Sequence, residues 1–415
     1  MDTSLFGTPE RFFNTAGPVN SDKHYCLPAL ERFDLNEVVS LIQKERYFIL
    51  HAPRSNGEKQ TYLKALATYL NESGYYHCLY VNVEAGQAAR GNMDKGIQAI
   101  LSIVGKSALY DVDDPYPASI WQDTLRDEGA LNAFAVVLGE WSRHTPKPIV
   151  LFIDEIDALI GDTLISVLRQ LRSGYDKRPE GFPQSIILCG VRDVRDYRIF
   201  SDEQQAMVLG GSAFNIKAKS LRLGNFTQQD IATLYQQHTD TTGQPFAPGV
   251  IEMVWELTQG QPWLVNALAY EACFEQPAGK ERTTPITTEI MHAAKEQLIL
   301  RRDTHLDQLA HKLIEERVKR VLLPILATEH VPEETIPPDD IQYAQDLGLI
   351  HLDKPLRIAN AMYREIIPRE LIYSTEYTMV QEAAWYIVPD GRLDMPKLLT
   401  AFQAFFREHS EHWVE

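Results

Sequence analysis

The chain has 415 residues, 44% of them hydrophobic and 23% charged, which is enough apolar material for about two or three cored domains. A formal net charge of −17 disfavours whole-surface adhesion to nucleic acid or to an anionic membrane, and the scattered cysteines Cys26, Cys78, Cys189 and Cys273 lack the spacing of a zinc site or a disulfide framework. No apolar tract is long enough to span a bilayer and the first residues do not have the basic-then-apolar pattern of a signal peptide, so a cytoplasmic protein with no membrane partner is expected.

Residues 1–30 are rich in Pro, Gly and Asn and read as an arm. Leu35, Val38, Val39 and Ile42 recur at helical spacing, so a helix is expected over 33–42. An apolar strand, Tyr47-Phe-Ile-Leu50, then leads into His51-Ala-Pro-Arg-Ser-Asn-Gly-Glu-Lys-Gln-Thr61, and a helix is expected over 58–72, stopped by Asn71 and Gly74. Cys78–Val83 is a second strand, its apolar run continuous as in a parallel strand covered on both faces, with Cys78 and Cys189 expected as buried small hydrophobes. Helices are expected over 86–104 and 128–143, with a loop at Asp111–Pro117 between them. Pro148–Glu155 is a third strand and Ser185–Gly190 a fourth, followed by a short fifth at Ser220–Leu223. Strands separated by helical stretches imply an α/β fold, a parallel sheet with helices on both faces and its ligand site at the carboxyl ends of the strands.

From Thr227 the pattern turns helical, over 227–239, 248–258, 262–274 and 287–301. After about 305 come a helix at His311–Leu326, a second at Asp339–Asp346 set off by Pro337-Pro338, and a two-stranded wing from Gly348–Leu352 and Leu356–Ile358, the order of a winged helix. A strand at Ala383–Val388 and an amphipathic helix from about 394 complete the chain. The expected divisions are an arm (1–30), a P-loop NTPase domain (31–225), a helical lid (226–303), a winged-helix domain (304–375) and a tail (376–415).

Strand, glycine-bearing loop and helix are the setting of a phosphate loop, because loop amides and the positive helix N-terminus converge on an anion. The pattern G-x-x-x-x-G-K-[ST] places a Lys on the β/γ-phosphates and a hydroxyl on Mg²⁺. Counted from Ala52, Gly57 meets the second Gly, Glu58 the Lys and Lys59 the hydroxyl position. With one extra loop residue, Lys59 takes the Lys position and Gln60 or Thr61 the metal position. In the first register a carboxylate stands about 4 Å from a phosphate, unfavourable by roughly 4 kcal/mol at an effective dielectric of 20. Ile149–Glu155 delivers Asp154 and Glu155 from an apolar strand, the one to hold a Mg²⁺ water shell and the other to orient an attacking water. Arg192, after the fourth strand, suits the γ-phosphate. For Arg195 and Arg198, surface pairs with Asp193 and Asp196 are expected instead. Lys312, Arg317, Lys319 and Arg320 are interrupted by Glu315 and Glu316, the pattern of a solvated helix face rather than a duplex-binding one.

In combination, Ile-Asp-Glu155, Cys189-Gly-Val-Arg192, Gly260-Gln-Pro262 and the winged-helix order resemble the STAND branch of the AAA+-related P-loop ATPases. More closely, the chain resembles the bacterial and archaeal AAA-like ATPases that often read His-Ala-Pro-Arg-Gln-x-Gly-Lys-Thr-Thr at the loop. The resemblance spans about residues 24–375 and implies an ATP- or ADP-binding switch with Mg²⁺ as cofactor. It implies that Arg32 belongs to an entry motif, that Pro53, Arg54, Ser55, Asn56, Gly57, Glu58, Lys59, Gln60 and Thr61 form the phosphate loop, that Asp154 holds the metal, and that Gly260 and Pro262 lie by the base. Glu155 and Arg192 would be the catalytic pair. It further implies a second copy or a protein effector as partner. The departure, Gly57-Glu-Lys-Gln-Thr61 for Gly-Lys-Thr-Thr, implies slow or absent hydrolysis, with a structural pseudo-ATPase and a winged-helix DNA regulator as the alternatives.

Overall fold

Four strands of largely apolar residues are satisfied inside a sheet covered on both faces, and that is how this chain folds, with a fifth, polar strand, Lys217–Arg222, at one edge. The computed structural model describes residues 10–53, 57–192, 198–201, 206–209, 214–301, 312–327, 336–378 and 392–409. They fall in two compact units, Met1–Glu365 and Ile366–Glu415.

In the first unit, β1 (Phe12–Phe13) and β2 (His24–Tyr25) form a small parallel pair within the arm. Helix α1 (Leu35–Gln43) starts at Asp34, whose side chain accepts from the Glu37 amide, and it buries Val38 and Ile42. Strand β3 (Tyr47–His51) is followed by α2 (Gly57–Glu72), then β4 (His77–Asn82), α3 (Met93–Asp111), α4 (Tyr116–Glu128), α5 (Ala133–His144), β5 (Ile149–Asp154), α6 (Gly161–Ser173) and β6 (Ser185–Gly190). An antiparallel pair, β7 (Arg198–Ser201) and β8 (Ala206–Leu209), precedes β9 (Lys217–Arg222). The main sheet is parallel throughout, in the order β4-β5-β6-β3-β9.

Alternation along the strands divides the core. Ile149, Leu151 and Ile153 pack with Ile49, Leu79 and Leu188 against Leu101, Val104, Phe134, Leu138 and Leu168. Val150 and Phe152 pack on the opposite face with Phe48, Leu50 and Ile187, against Val38, Ile42, Leu63 and Leu66. Cys78 and Cys189 are buried in this second layer as free thiols, as expected.

Several boundaries differ from the sequence reading. The helix expected over 86–104 begins only at Met93, after a 3-10 turn at Glu84–Ala89, because Asn92 supplies the cap that accepts from the Lys95 amide. The Asp111–Pro117 loop ends early, since Pro117 sits in the first turn of α4, where a proline costs no hydrogen bond.

The helical region comprises α7 (Gln228–Thr242), α8 (Val250–Thr258), α9 (Pro262–Tyr270) and α10 (Thr288–Arg301), with a π turn at Glu271–Glu275 after α9. Thr227 and Asp230 form a reciprocal capping box at the start of α7. Then come α11 (Glu316–Ala327), α12 (Pro338–Asp346) and α13 (Ala361–Thr378), the last crossing into the second unit. The two-stranded wing reduces to a single antiparallel bridge, Ile350 with Ile358, flanked by the His351 amide donating to the Arg357 carbonyl at 2.9 Å. In the second unit α14 (Met395–His409) begins at Asp394, whose side chain accepts from the Lys397 amide. The strand expected at Ala383–Val388 lies outside the described residues.

The arm is fastened to the helical region rather than to the sheet. Gln237 on α7 donates to the Cys26 carbonyl and accepts from its amide, at 2.8 and 3.1 Å. The Trp263 indole donates to the Thr15 carbonyl at 2.8 Å, and the Val19 amide donates to Thr61 Oγ1 on α2 at 3.0 Å.

Gly260 adopts a left-handed φ of 69°, and its carbonyl accepts from the Phe226 amide at 2.8 Å. A Cβ there would lie 1.8 Å from the Phe226 carbonyl oxygen, so no side chain fits without moving backbone. Gly260→Ala should therefore destabilise the fold by about 2 kcal/mol or more, from positive-φ strain plus the clash. Chemical denaturation of the two chains measures the difference, and an unchanged midpoint would contradict this reading of the glycine.

Candidate functional site

The carboxyl ends of β3, β5, β6 and β9 form one edge of the sheet, where parallel folds place their ligands. Strand β3 is drawn into this edge by the Ala52 amide, which donates to the Gly190 carbonyl at 3.1 Å, and by the Leu223 amide, which donates to the His51 carbonyl at 2.9 Å. Pro53 follows and α2 opens at Gly57, so the strand-loop-helix setting is present. Arg54, Ser55 and Asn56 lie outside the described residues.

Within the first turn of α2, successive side chains go to opposite sides. The Lys59 ammonium contacts Asp154 Oδ1 and Glu155 Oε1, each at 2.8 Å. Burial alone would lower its pKa, but the two carboxylates outweigh burial and raise it above the ordinary lysine value. Asp154 is 1% exposed, and the Tyr80 hydroxyl donates to its Oδ2 at 2.9 Å while the Glu155 amide donates to Oδ1 at 2.9 Å. Glu155 itself takes a left-handed backbone, φ 57° and ψ 40°, rare for a residue with a side chain and typical of strained turns at sites. Burial pushes its carboxyl upward, with Lys59 pulling it back.

Glu58 is 6% exposed and turns toward Arg32 and Asp230. Burial raises its pKa, the Arg32 charge lowers it in part, and Asp230 raises it again. Arg32 donates to the Gly224 carbonyl at 2.7 Å, lies 3.7 Å from Asp230, and stacks its guanidinium 4.7 Å from the Phe226 ring centre. Gln60 lies beside Tyr80, and Thr61 accepts from the arm.

Arg192 leaves the end of β6 and is buried, its Nε donating to Asp346 Oδ2 at 3.1 Å and its guanidinium 4.8 Å from the Tyr343 ring centre, both on α12. Arg222, at the end of β9, donates to the Gln345 carbonyl of the same helix at 2.9 Å. Gly348, just past α12, lies so close to Pro53 that an added Cβ would meet the proline ring at 3.1 Å. A cleft of about 440 Å³ opens beside these contacts, with Pro53, Arg222, Trp255, Gln259, His351 and Tyr363 among its walls.

The structure thus brings Lys59, Asp154 and Glu155 together, and Arg32 with Glu58. Arg192 is held by α12. Gly260 serves the backbone of Phe226, and Pro262 opens α9 beside Gln261, whose side chain caps the helix by accepting from the Leu264 amide. Arg195, Asp193 and Asp196 lie outside the described residues. Sequence reasoning missed Tyr80, Arg222 and Asp346. Tyr80 alone had a signal, as the polar-tipped residue in an apolar strand beside β5. Asp154 and Glu155 do not fit a divalent cation as they stand, because an ammonium already bridges them and, among the described residues, the groups against Asp154 are the Lys59 ammonium, the Tyr80 hydroxyl and the Glu155 amide, all hydrogen-bond donors. Among the described residues no group of three or more His, Cys, Asp and Glu could hold a metal.

No family model matches the chain and no curated protein matches it. Among solved structures, it is similar to the Walker-type ATPase of Pyrococcus abyssi, at 14% identity over 86% of this chain and 99% of that one, with a TM-score of 0.58. The ORC2 protein of Aeropyrum pernix (14% identity, 84% and 93% covered, TM-score 0.44) and a RuvB protein of Thermotoga maritima (13%, 81% and 93%, 0.41) overlay too loosely to carry an argument. With its parallel five-stranded sheet, strand-loop-helix edge and following helical region, this chain has the fold of the P-loop ATPases.

Proposed function

We propose that this protein is a nucleotide-responsive switch that binds ATP or ADP at the β3-α2 loop and hydrolyses it slowly or not at all. In this reading residues 31–225 are the nucleotide domain, 226–303 a lid, and 304–375 a winged-helix domain whose docking depends on the nucleotide. The observation that carries it is the double attachment of α12: Arg192 and Arg222 end the strands on either side of β3, and both are committed to Asp346 and Gln345. Arg192 is the group suited to a γ-phosphate, so phosphate and α12 would compete for it. Such competition is what biases a two-state arrangement. The name of the Pyrococcus abyssi neighbour as a Walker-type ATPase favours the same ligand class.

Lys59, by engaging both acids, favours the pseudo-ATPase version of this reading over an efficient hydrolase. A duplex-binding role gains nothing from the basic residues of the third segment. Arg317 and Arg320 pair with Asp340, Lys312 with Glu315 and Lys319 with Glu316.

The direct test is denaturation of the purified protein followed by chromatography for released ATP or ADP, with calorimetric titration of both nucleotides. The switch reading expects nucleotide in one or the other, and silence in both up to millimolar ligand sinks it. Asp346→Ala should loosen α12 by about 3 kcal/mol, because it strands a buried guanidinium. Hydrogen exchange of residues 338–346 reads this, and unchanged protection would show that α12 is not held by the pair. Restoring the consensus with Glu58→Lys and Lys59→Thr together should raise turnover by about tenfold or more, the repulsion discounted for solvent. An unchanged rate means that the loop's charge order does not limit hydrolysis.

Glu58 also sets a pH dependence. Its folded pKa lies above its ordinary value of 4.5, so its ionised form costs stability at neutral pH and protonation relieves that cost as pH falls through the raised pKa. Glu58→Gln should thus stabilise the fold at pH 7–8, the gain shrinking with falling pH and vanishing below 4.5. Thermal denaturation across this range decides it, and a gain that grows on acidification has the wrong sign.

A further inference from the structure

We infer that the Lys59 ammonium stands in for the divalent cation at Asp154 and Glu155, so that nucleotide binds this chain without Mg²⁺. The inference rests on the nucleotide-binding reading above and sharpens it. In the phosphate-loop pattern the residue after the Lys position carries a hydroxyl toward the metal, and the strand-end Asp holds that metal from the other side. Lys59 is the second residue after Gly57, which in the register without an extra loop residue is the hydroxyl position. Its side chain points as a hydroxyl there would, at Asp154, while Glu58 at the preceding position turns to Arg32.

Chemistry at Asp154 leaves no opening for a metal while the lysine is present. Oδ1 accepts from Lys59 Nζ and from the Glu155 amide, and Oδ2 accepts from the Tyr80 hydroxyl. Mg²⁺ requires about six oxygen ligands in near-octahedral array at about 2.0–2.1 Å, and an ammonium has no lone pair to give it. The ammonium already supplies positive charge between two largely buried carboxylates, at 2.8 Å from each. Lys59→Thr would leave those carboxylates unmatched and place a hydroxyl beside them. That combination is the first half of an ordinary metal site.

Two measurements on the full chain test this. In the first, Mn²⁺ alone is titrated and followed by electron paramagnetic resonance. Wild type should take up no Mn²⁺ beyond that of Asp154→Asn, while Lys59→Thr should bind it at least about tenfold more tightly and lose it again when Asp154→Asn is added. Lys59→Arg, which keeps the charge, should behave as wild type. In the second, ADP binding is compared in excess EDTA and in millimolar Mg²⁺. Wild-type affinity should change by less than about twofold, and Lys59→Thr should gain about tenfold from Mg²⁺. Wild type that binds Mn²⁺ more tightly than Asp154→Asn, or whose ADP affinity rises about tenfold with Mg²⁺, overturns the inference, and the second outcome is read on the wild-type chain alone. ADP binding absent from every chain refutes the nucleotide reading, and the Mn²⁺ titration then still decides the role of the lysine.

Discussion

Asp154 ends a strand whose six residues are all buried, and a carboxylate so placed needs a positive charge beside it. Taking such a group out of water costs several kcal/mol, which attraction returns only where the partner is close and the remaining lone pairs are filled. Lys59 provides the charge, and Tyr80 with the Glu155 amide fills the lone pairs. This requirement couples α2 to β5 across the sheet edge. It fixes where the first turn of α2 sits, which way Glu58 must turn, and why Glu155 accepts an unfavourable backbone conformation.

Much of this architecture is legible in the chain itself. The apolar runs at Tyr47–Leu50, Ile149–Ile153 and Ser185–Gly190 have no polar face, so a parallel sheet between two helical layers is the one way to bury them, and Asp154-Glu155 then falls at its ligand edge. Helix α4 escapes because its stripe, Tyr116, Ile120, Trp121 and Leu125, follows two prolines, Pro115 and Pro117, that read as a loop, and is only partly buried against the core. Helix α6 does carry such a stripe, in Leu164, Ile165, Leu168 and Leu171, yet the sequence reading passed over it. The charge pairs were not readable. Nothing in the spacing of Arg192 and Asp346, 154 residues apart, distinguishes that pairing from the nearer acids of the same loop.

The phosphate loop's position and its chemistry are set at different distances along the chain. Position follows from hydrophobic pattern and glycine, which act locally. Chemistry follows from which acid each lysine reaches, and that is decided by the strand order β5-β6-β3, a property of the assembled sheet. Two registers are open at Gly57–Thr61 for this reason, and the contacts of Lys59 with Asp154 and Glu155 are compatible with both.

The arm has a consequence for the order in which the molecule is made. Cys26 and Thr15 find their partners in Gln237 and Trp263, residues 211 and 248 positions later, while the sheet between them closes through β9 at Arg222. On a ribosome, the leading segment therefore emerges long before anything exists for it to hold, and the sheet is complete before it docks. Closing so long a loop adds little entropy cost per added residue, so the penalty is one of waiting rather than of stability. Phe13 and Tyr25, which end against Tyr235, His238 and Phe274, have no such partners throughout that interval, and newly synthesised chains carry them uncovered until the helical region has been translated.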